Sequence, residues 1–161
     1  PRASGSINST AEDMCRWLLL HLQSGMAGGK QVISEKGLAE MHTPQVIIPQ
    51  QTINKSEIMH QSYGLGWSID SYRGHYRVHH GGSTMGFNSY LTLFPHESLG
   101  IVILANASSA LPGALSHSLS DLLLDLEPVD WNKRMAEEIR RSQASQASTG
   151  TMRRLWLKRE T

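Results

Sequence analysis

The sequence predicts an α+β fold, an antiparallel sheet flanked by helices. Three observations carry this. Short strand-like runs joined by tight turns fill the middle of the chain, apolar residues recur at helical spacing before and after them, and Ile101-Val102-Ile103-Leu104 is apolar at every position. Short runs punctuated by turn residues favour a meander, and a continuously apolar strand implies cover on both faces.

The elements follow in order. Thr10-Ala11-Glu12-Asp13 places a capping hydroxyl three residues before a carboxylate, and acids in a first turn complement the helix dipole. Ala11, Met14, Cys15, Leu18 and Leu22 then recur at helical spacing up to Ser24-Gly25, predicting an amphipathic helix of about four turns. Met26 to Lys30 reads as a glycine-rich loop, Ser34 as the cap of a short helix through Met41 that Pro44 stops, and Gln45 to Gln61 as an irregular connection. Tyr63 to Ile69, Tyr76 to His80, Asn88 to Phe94 and Gly100 to Ala105 read as four strands, with turns at Arg73-Gly74 and Pro95 to Ser98. Leu111, Leu115, Leu119, Leu122 and Leu126 predict a helix across one face of the sheet, with Pro112 in the first turn, where proline is tolerated. Trp131, Met135 and Ile139 predict a further short helix, and Ser142 to Thr151 has linker composition.

Composition bounds the function. A chain of 161 residues with 39% hydrophobic and 18% charged content suits one globular domain. No apolar run reaches the roughly 18 residues of a membrane span, and Trp17-Leu18-Leu19-Leu20 is cut by His21. The single cysteine, Cys15, cannot form an internal disulfide and reads as a small buried hydrophobe. Residues 1–130 carry 7 Lys/Arg against 11 Asp/Glu, whereas residues 131–161 carry 8 against 3, so the basic character lies in the tail. Its interspersed acids favour a solvated helix over a nucleic-acid contact. The chain opens at Pro1 without methionine or a basic-then-apolar leader, so no signal peptide is read and a piece of something longer is expected.

The densest cluster of unusual residues is His79-His80-Gly81-Gly82-Ser83-Thr84-Met85-Gly86-Phe87. Adjacent strand residues point to opposite faces, so His79 and His80 are not expected to share a metal ion. His75 and His79 could share a face but have no nearby acid or cysteine to close a site, and no metal is expected. The glycines lack the P-loop lysine and the dinucleotide spacing, and a strand follows them, so no cofactor is expected. Neither a Gly-x-Ser-x-Gly elbow nor Ser-x-x-Lys occurs, so no activated nucleophile is identified within the chain. Asn106, at the head of a glycosylation triplet, closes the last strand and reads as a turn residue.

The remaining reading is the edge of a catalytic cleft. The segment from His79 through Tyr90, continuing through Phe94-Pro95 and Leu99 to Asn106, resembles the C-terminal half of the serine β-lactamase and penicillin-binding protein superfamily. Class C β-lactamases, D-alanyl-D-alanine carboxypeptidases and serine esterases are the most similar members. Gly5 to Met14 and Tyr63-Gly64-Leu65-Gly66-Trp67 resemble two further blocks of that family, in the same order. The resemblance implies a β-lactamase/transpeptidase-like fold over residues 1–129, incomplete because only its C-terminal portion is present, with residues 130–161 as a basic helical linker or tail.

It also implies a mechanism. Such enzymes use a nucleophilic serine in Ser-x-x-Lys, a Tyr-x-Asn type of element and a Lys-Thr-Gly or His-x-Gly motif on the edge strand of the sheet. Only the third is matched, as His80-Gly81-Gly82. His80 would stand in the lysine's place as a weaker cation, and Ser83 would offer its backbone N–H to an oxyanion hole. Gly81, Gly82 and Asn106 would be substrate-binding positions, with the glycines letting the substrate backbone approach. The implied substrate is a small peptide, amide or ester, and the implied partner is the N-terminal half of the same fold. These residues alone are expected to be inactive. Export to the periplasm or cell exterior follows from the resemblance only. The competing expectation is a non-catalytic, truncated or degenerate relative that binds peptides or proteins through its sheet edge.

Overall fold

The computed structural model describes residue 5 and residues 7–49 and 57–141. It shows an antiparallel sheet with helices on both faces, the α+β arrangement expected. Six strands lie in chain order across it: β3 (Val46–Ile47), β4 (Ile58–Tyr63), β5 (Ser68–Tyr72), β6 (His75–Thr84), β7 (Phe87–Phe94) and β8 (Leu99–Ala105). A small separate hairpin, β1 (Met26–Ala27) with β2 (Lys30–Gln31), occupies the stretch read as a loop.

Helix α1 (Ala11–Leu22) starts where Thr10 accepts a hydrogen bond from the Asp13 amide, and α2 (Glu35–Met41) starts where Ser34 accepts one from Gly37. Both caps satisfy amides that a helix start leaves without partners. α1 lies against β8 closely enough that a Cβ at Gly100 would sit 3.2 Å from Leu18. The core on that face joins Leu18 to Trp67, Ile69, Val78 and Leu93, with Leu22, Met41, Tyr76, Leu91 and Val102 around them. On the opposite face α3 (Leu111–Leu123) and a helix over 131–141, α4, cover a second core of Ile58, Tyr72, Phe94, Ala114 and Trp131. β8 therefore has a helix on each face, as its uninterrupted apolar run requires.

Helix α3 lies across the sheet where the leucine spacing predicts a helix, but most of the leucine stripe is not its buried face. Its buried residues are Pro112, Ala114, Ser116, His117, Ser120 and Asp121, whereas Leu111, Leu115 and Leu122 are exposed, Leu122 by 73%. The sheet face beneath explains the choice, because it presents polar groups that need partners. Thr92 Oγ1 meets Ser116 Oγ at 2.8 Å, and Tyr72 donates to Asp121 at 2.6 Å. Burying these hydroxyls against leucine would leave them unsatisfied at about 1–3 kcal/mol each. Asp121 also accepts from Trp131 Nε1 at 2.6 Å, which ties the first turn of α4 to the body of the fold.

Other boundaries differ as well. The strand expected over Tyr63 to Ile69 is instead a β4 end, a turn and a β5 start, with Gly64 N–H bonded to Trp67 O at 2.8 Å. The irregular connection expected over Gln45 to Gln61 contains β3 and most of β4, with residues 50–56 outside the described set. Cys15 is exposed rather than packed, and His21 takes a buried place on the helix instead. The linker stretch Ser142 to Thr151 and the rest of the tail lie outside the described residues. No helix among the described residues is long and apolar enough to cross a membrane.

Candidate active site

The strand that carries His80-Gly81-Gly82 is the fourth of six, so β6 as a whole is not the sheet's edge strand. Its pairing with β5 ends at Ser68↔His79, while its pairing with β7 continues through His80↔Leu91, Gly81↔Tyr90, Gly82↔Ser89, Ser83↔Asn88 and Thr84↔Phe87. Edge character is thus confined to His80–Thr84, which outruns β5 and keeps one side free of a strand partner. All five of those residues are exposed. A tight turn closes the hairpin, with Met85 at φ 41° and Gly86 at φ 90°, the left-handed pair that suits the twist of a two-residue hairpin loop.

The two adjacent histidines diverge. His80 is exposed, with its ring centroid 6.4 Å from that of Tyr63. His79 turns to the α3 face, where Nε2 lies 3.2 Å from Asp70 Oδ2 and Nδ1 lies 2.9 Å from the Tyr90 hydroxyl. Arg77 clamps the same carboxylate from two positions, Nε to Oδ1 at 2.8 Å and Nη2 to Oδ2 at 2.7 Å, and rests its guanidinium 4.6 Å over the Tyr72 ring. Asp70 and Arg77 are 4% and 1% exposed, which makes this a desolvated pair. Burial pushes the Asp70 carboxyl up, but hydrogen bonds from His79 and Arg77 outweigh it and hold the group at about 2. Burial lowers His79 despite the hydrogen bond to Asp70, so the imidazole is neutral at pH 7, and burial raises Tyr90. His75 is not part of this group, because its Nδ1 pairs with Glu97 at 2.5 Å.

At Gly82 a Cβ would lie 2.8 Å from Ser89 Oγ, and at Gly81 one would lie 3.3 Å from the Tyr90 ring, so bare backbone is what fits here. Asn106 follows β8 on the exposed surface, two strands across from Ser83 by way of Asn88↔Ala105, roughly 10 Å at normal strand spacing. His80, Gly81, Gly82 and Ser83 are therefore contiguous on one free edge, and Asn106 is at the same end of the sheet but not beside them.

The sequence reading missed Asp70 and Arg77. A signal was present: with a two-residue turn at Arg73-Gly74, they fall directly opposite each other as an acid-base pair three positions out on each strand. A second cluster also went unread. His21 Nδ1 and His42 Nε2 lie 3.0 Å apart between Trp17 and Trp67, and burial, with the His42 ring beside it, lowers His21 to about 4.

A family model described as Beta-lactamase matches residues 1–125. The chain belongs to the beta-lactamase family. It is similar to the unguisins hydrolase ungD' of Aspergillus campestris, at 29% identity over 136 residues, 81% of this chain and 24% of that protein. Its fold is similar to that of the octameric penicillin-binding protein homologue from Pyrococcus abyssi, with TM-score 0.64 and 22% identity over 74% of this chain and 25% of that one. The chain thus spans about a quarter of the length of each of these two proteins.

Proposed function

We propose that this chain supplies the edge-strand motif of a beta-lactamase-related serine hydrolase that transfers an acyl group from a small peptide, amide or ester, first to a serine and then to water. The observation that carries the reading is the free edge at His80–Thr84, which can accept a substrate segment as an added strand while glycine at 81 and 82 keeps the approach open. The name of the Aspergillus relative, a hydrolase of unguisins, agrees with hydrolysis as the reaction class.

In this reading His80 faces the substrate in the position a lysine would take and presents a ring N–H to the developing charge. The Ser83 backbone N–H is one donor of the oxyanion hole, and Gly81 and Gly82 admit the substrate backbone. Asn106, an exposed amide at the same end of the sheet, contacts a more distant part of the substrate. The attacking serine and its base lie outside these 161 residues, since neither Ser-x-x-Lys nor Tyr-x-Asn occurs in them. The chain alone does not hydrolyse substrate.

The experiment is intact-mass analysis after treatment with a fluorophosphonate. The product of the complete open reading frame is expected to gain one adduct, mapped to a serine outside this chain, while the 161-residue chain gains none. An adduct on a serine of this chain, or none on the complete product, overturns the proposal. The same free edge supports a second reading, a non-catalytic module that binds extended peptides by strand addition. A complete product that takes no adduct but binds such peptides would decide for it.

A further inference from the structure

We propose that Tyr90, His79, Asp70 and Arg77 form a positioning clamp that holds the free stretch from His80 to Ser83 in one shape. The inference rests on the reading above that this stretch borders the cleft. Beyond Ser68, β6 keeps a partner only on its β7 side, while β7 goes on pairing with β8 through Asn88↔Ala105, so His80 to Thr84 form an outer strand held by hydrogen bonds from one side. Two consecutive glycines weaken it further, because neither contributes a side chain to cross-strand packing.

Tyr90 answers that weakness. It sits directly across from Gly81, and its ring lies against the glycine backbone, so that an added Cβ would meet it at 3.3 Å. An aromatic covering a cross-strand glycine restores the contact that the glycine lacks. The ring is then pinned at its far end, where the hydroxyl donates to His79 Nδ1 at 2.9 Å and the two rings stack 5.6 Å apart at 14°.

The direction of that bond is fixed from the other side. Asp70 is an ionised carboxylate and can only accept, so His79 must carry its proton on Nε2 and leave Nδ1 as an acceptor. Arg77 in turn holds both Asp70 oxygens and prevents the carboxylate from rotating. Each link has one donor and one acceptor, and the end of the chain is the ring under Gly81. Asp70 and Arg77 are too buried to meet substrate, which makes them positioning residues rather than catalytic ones.

The test is backbone amide exchange and imidazole nitrogen NMR on this chain, comparing the wild type with Tyr90→Phe, which keeps the ring and removes only the hydroxyl. Exchange of the protected amides among Gly81, Gly82 and Ser83 is expected to quicken about tenfold, the equivalent of one lost hydrogen bond, while Val78, Leu93 and Val102 stay at wild-type rates. The wild-type His79 ring is expected to show the single Nε2–H tautomer, and Tyr90→Phe to keep it, because Asp70 fixes it, while the Nδ1 resonance shifts with the loss of its hydrogen bond. Gly81→Ala, which crowds the Tyr90 ring from the strand side, is the second variant and is expected to act in the same direction. Wild-type exchange at 81–83 in both variants, or a mixed His79 tautomer in the wild type, overturns the clamp. Failure of the complete product to acylate would instead refute the hydrolase reading and leave the exchange result standing.

Discussion

Substituting Asp70→Asn keeps the shape of the side chain but removes its charge, and leaves Arg77, 1% exposed, as a buried cation without its counter-ion. The magnitude can be bounded from two directions. The Asp70 carboxyl is held at about 2 against an ordinary 3.8, and at about 1.4 kcal/mol per pKa unit this difference is worth about 2 kcal/mol. Breaking one partner of a buried pair typically costs about 3–5 kcal/mol. Urea unfolding at pH 7, followed by tryptophan fluorescence, is therefore expected to show a loss of about 2–5 kcal/mol, a large share of an ordinary domain's stability. The pH dependence gives a second check. A carboxyl whose folded pKa is depressed stabilises fully above about pH 4 and loses that contribution as pH falls towards 2. The gap between wild type and variant should accordingly narrow over that window. A loss below about 1 kcal/mol at pH 7, or a gap that stays constant in acid, would refute the reasoning.

Three further outcomes follow from the same structure. His21 is lowered to about 4 in the fold, so the unfolded chain binds its proton first; stability is complete above about pH 6.5 and falls by up to about 3 kcal/mol as pH drops to 4. Urea midpoints should show that slope in the wild type and lose it in His21→Gln, and parallel curves would exclude the assignment. Gly64→Ala would place a Cβ 2.4 Å from the Met41 carbonyl oxygen, so a drop of about 1–3 kcal/mol in unfolding free energy is expected, whereas an unchanged midpoint would show that the turn relaxes freely. Leu18→Ala, in the core at 2% exposure, should cost about 2–5 kcal/mol, but Leu122→Ala, exposed on α3, should stay within about 0.5 kcal/mol in this chain. Comparable losses for the two would mean that the leucine face is buried after all.

What the sequence disclosed was governed by local chemistry. Thr10 and Ser34 are visible caps because a side-chain oxygen three residues before an amide is a local arrangement. The strands from β6 to β8 were legible in part, because the turn at Pro95 to Ser98 is short and marked by proline, but the strand predicted from Tyr76 stops at His80, whereas β6 continues through the glycines to Thr84 and turns at Met85-Gly86. Helix α3 was legible as an element, but not its buried face, because the orientation of a helix is settled by what the sheet presents to it. Thr92, Tyr72 and Trp131 are distant in sequence, yet their polar atoms select Ser116 and Asp121 over the leucines. The boundary between β4 and β5 was lost for a related reason, since Tyr63 to Ile69 alternates like a strand although it turns at Leu65-Gly66, where Gly66 has φ 83°. His80, Gly81, Gly82 and Ser83 were identified as a group from the motif and lie together on the free edge. Their support from Tyr90 and Asp70 could not be read from the motif itself, because it depends on strand register across three strands.

The claim that His80 and the backbone of Ser83 face the reacting acyl group is tested most directly by acylation rates. The complete open reading frame product would be reacted with a fluorophosphonate as wild type, His80→Ala and Ser83→Ala. Loss of a charge-stabilising or proton-transfer group costs about 100-fold or more, so His80→Ala is expected to slow acylation by at least about that factor. Ser83→Ala keeps the amide and should remain within about threefold of wild type. Acylation that is unaffected by His80→Ala, or abolished by Ser83→Ala, would contradict this assignment.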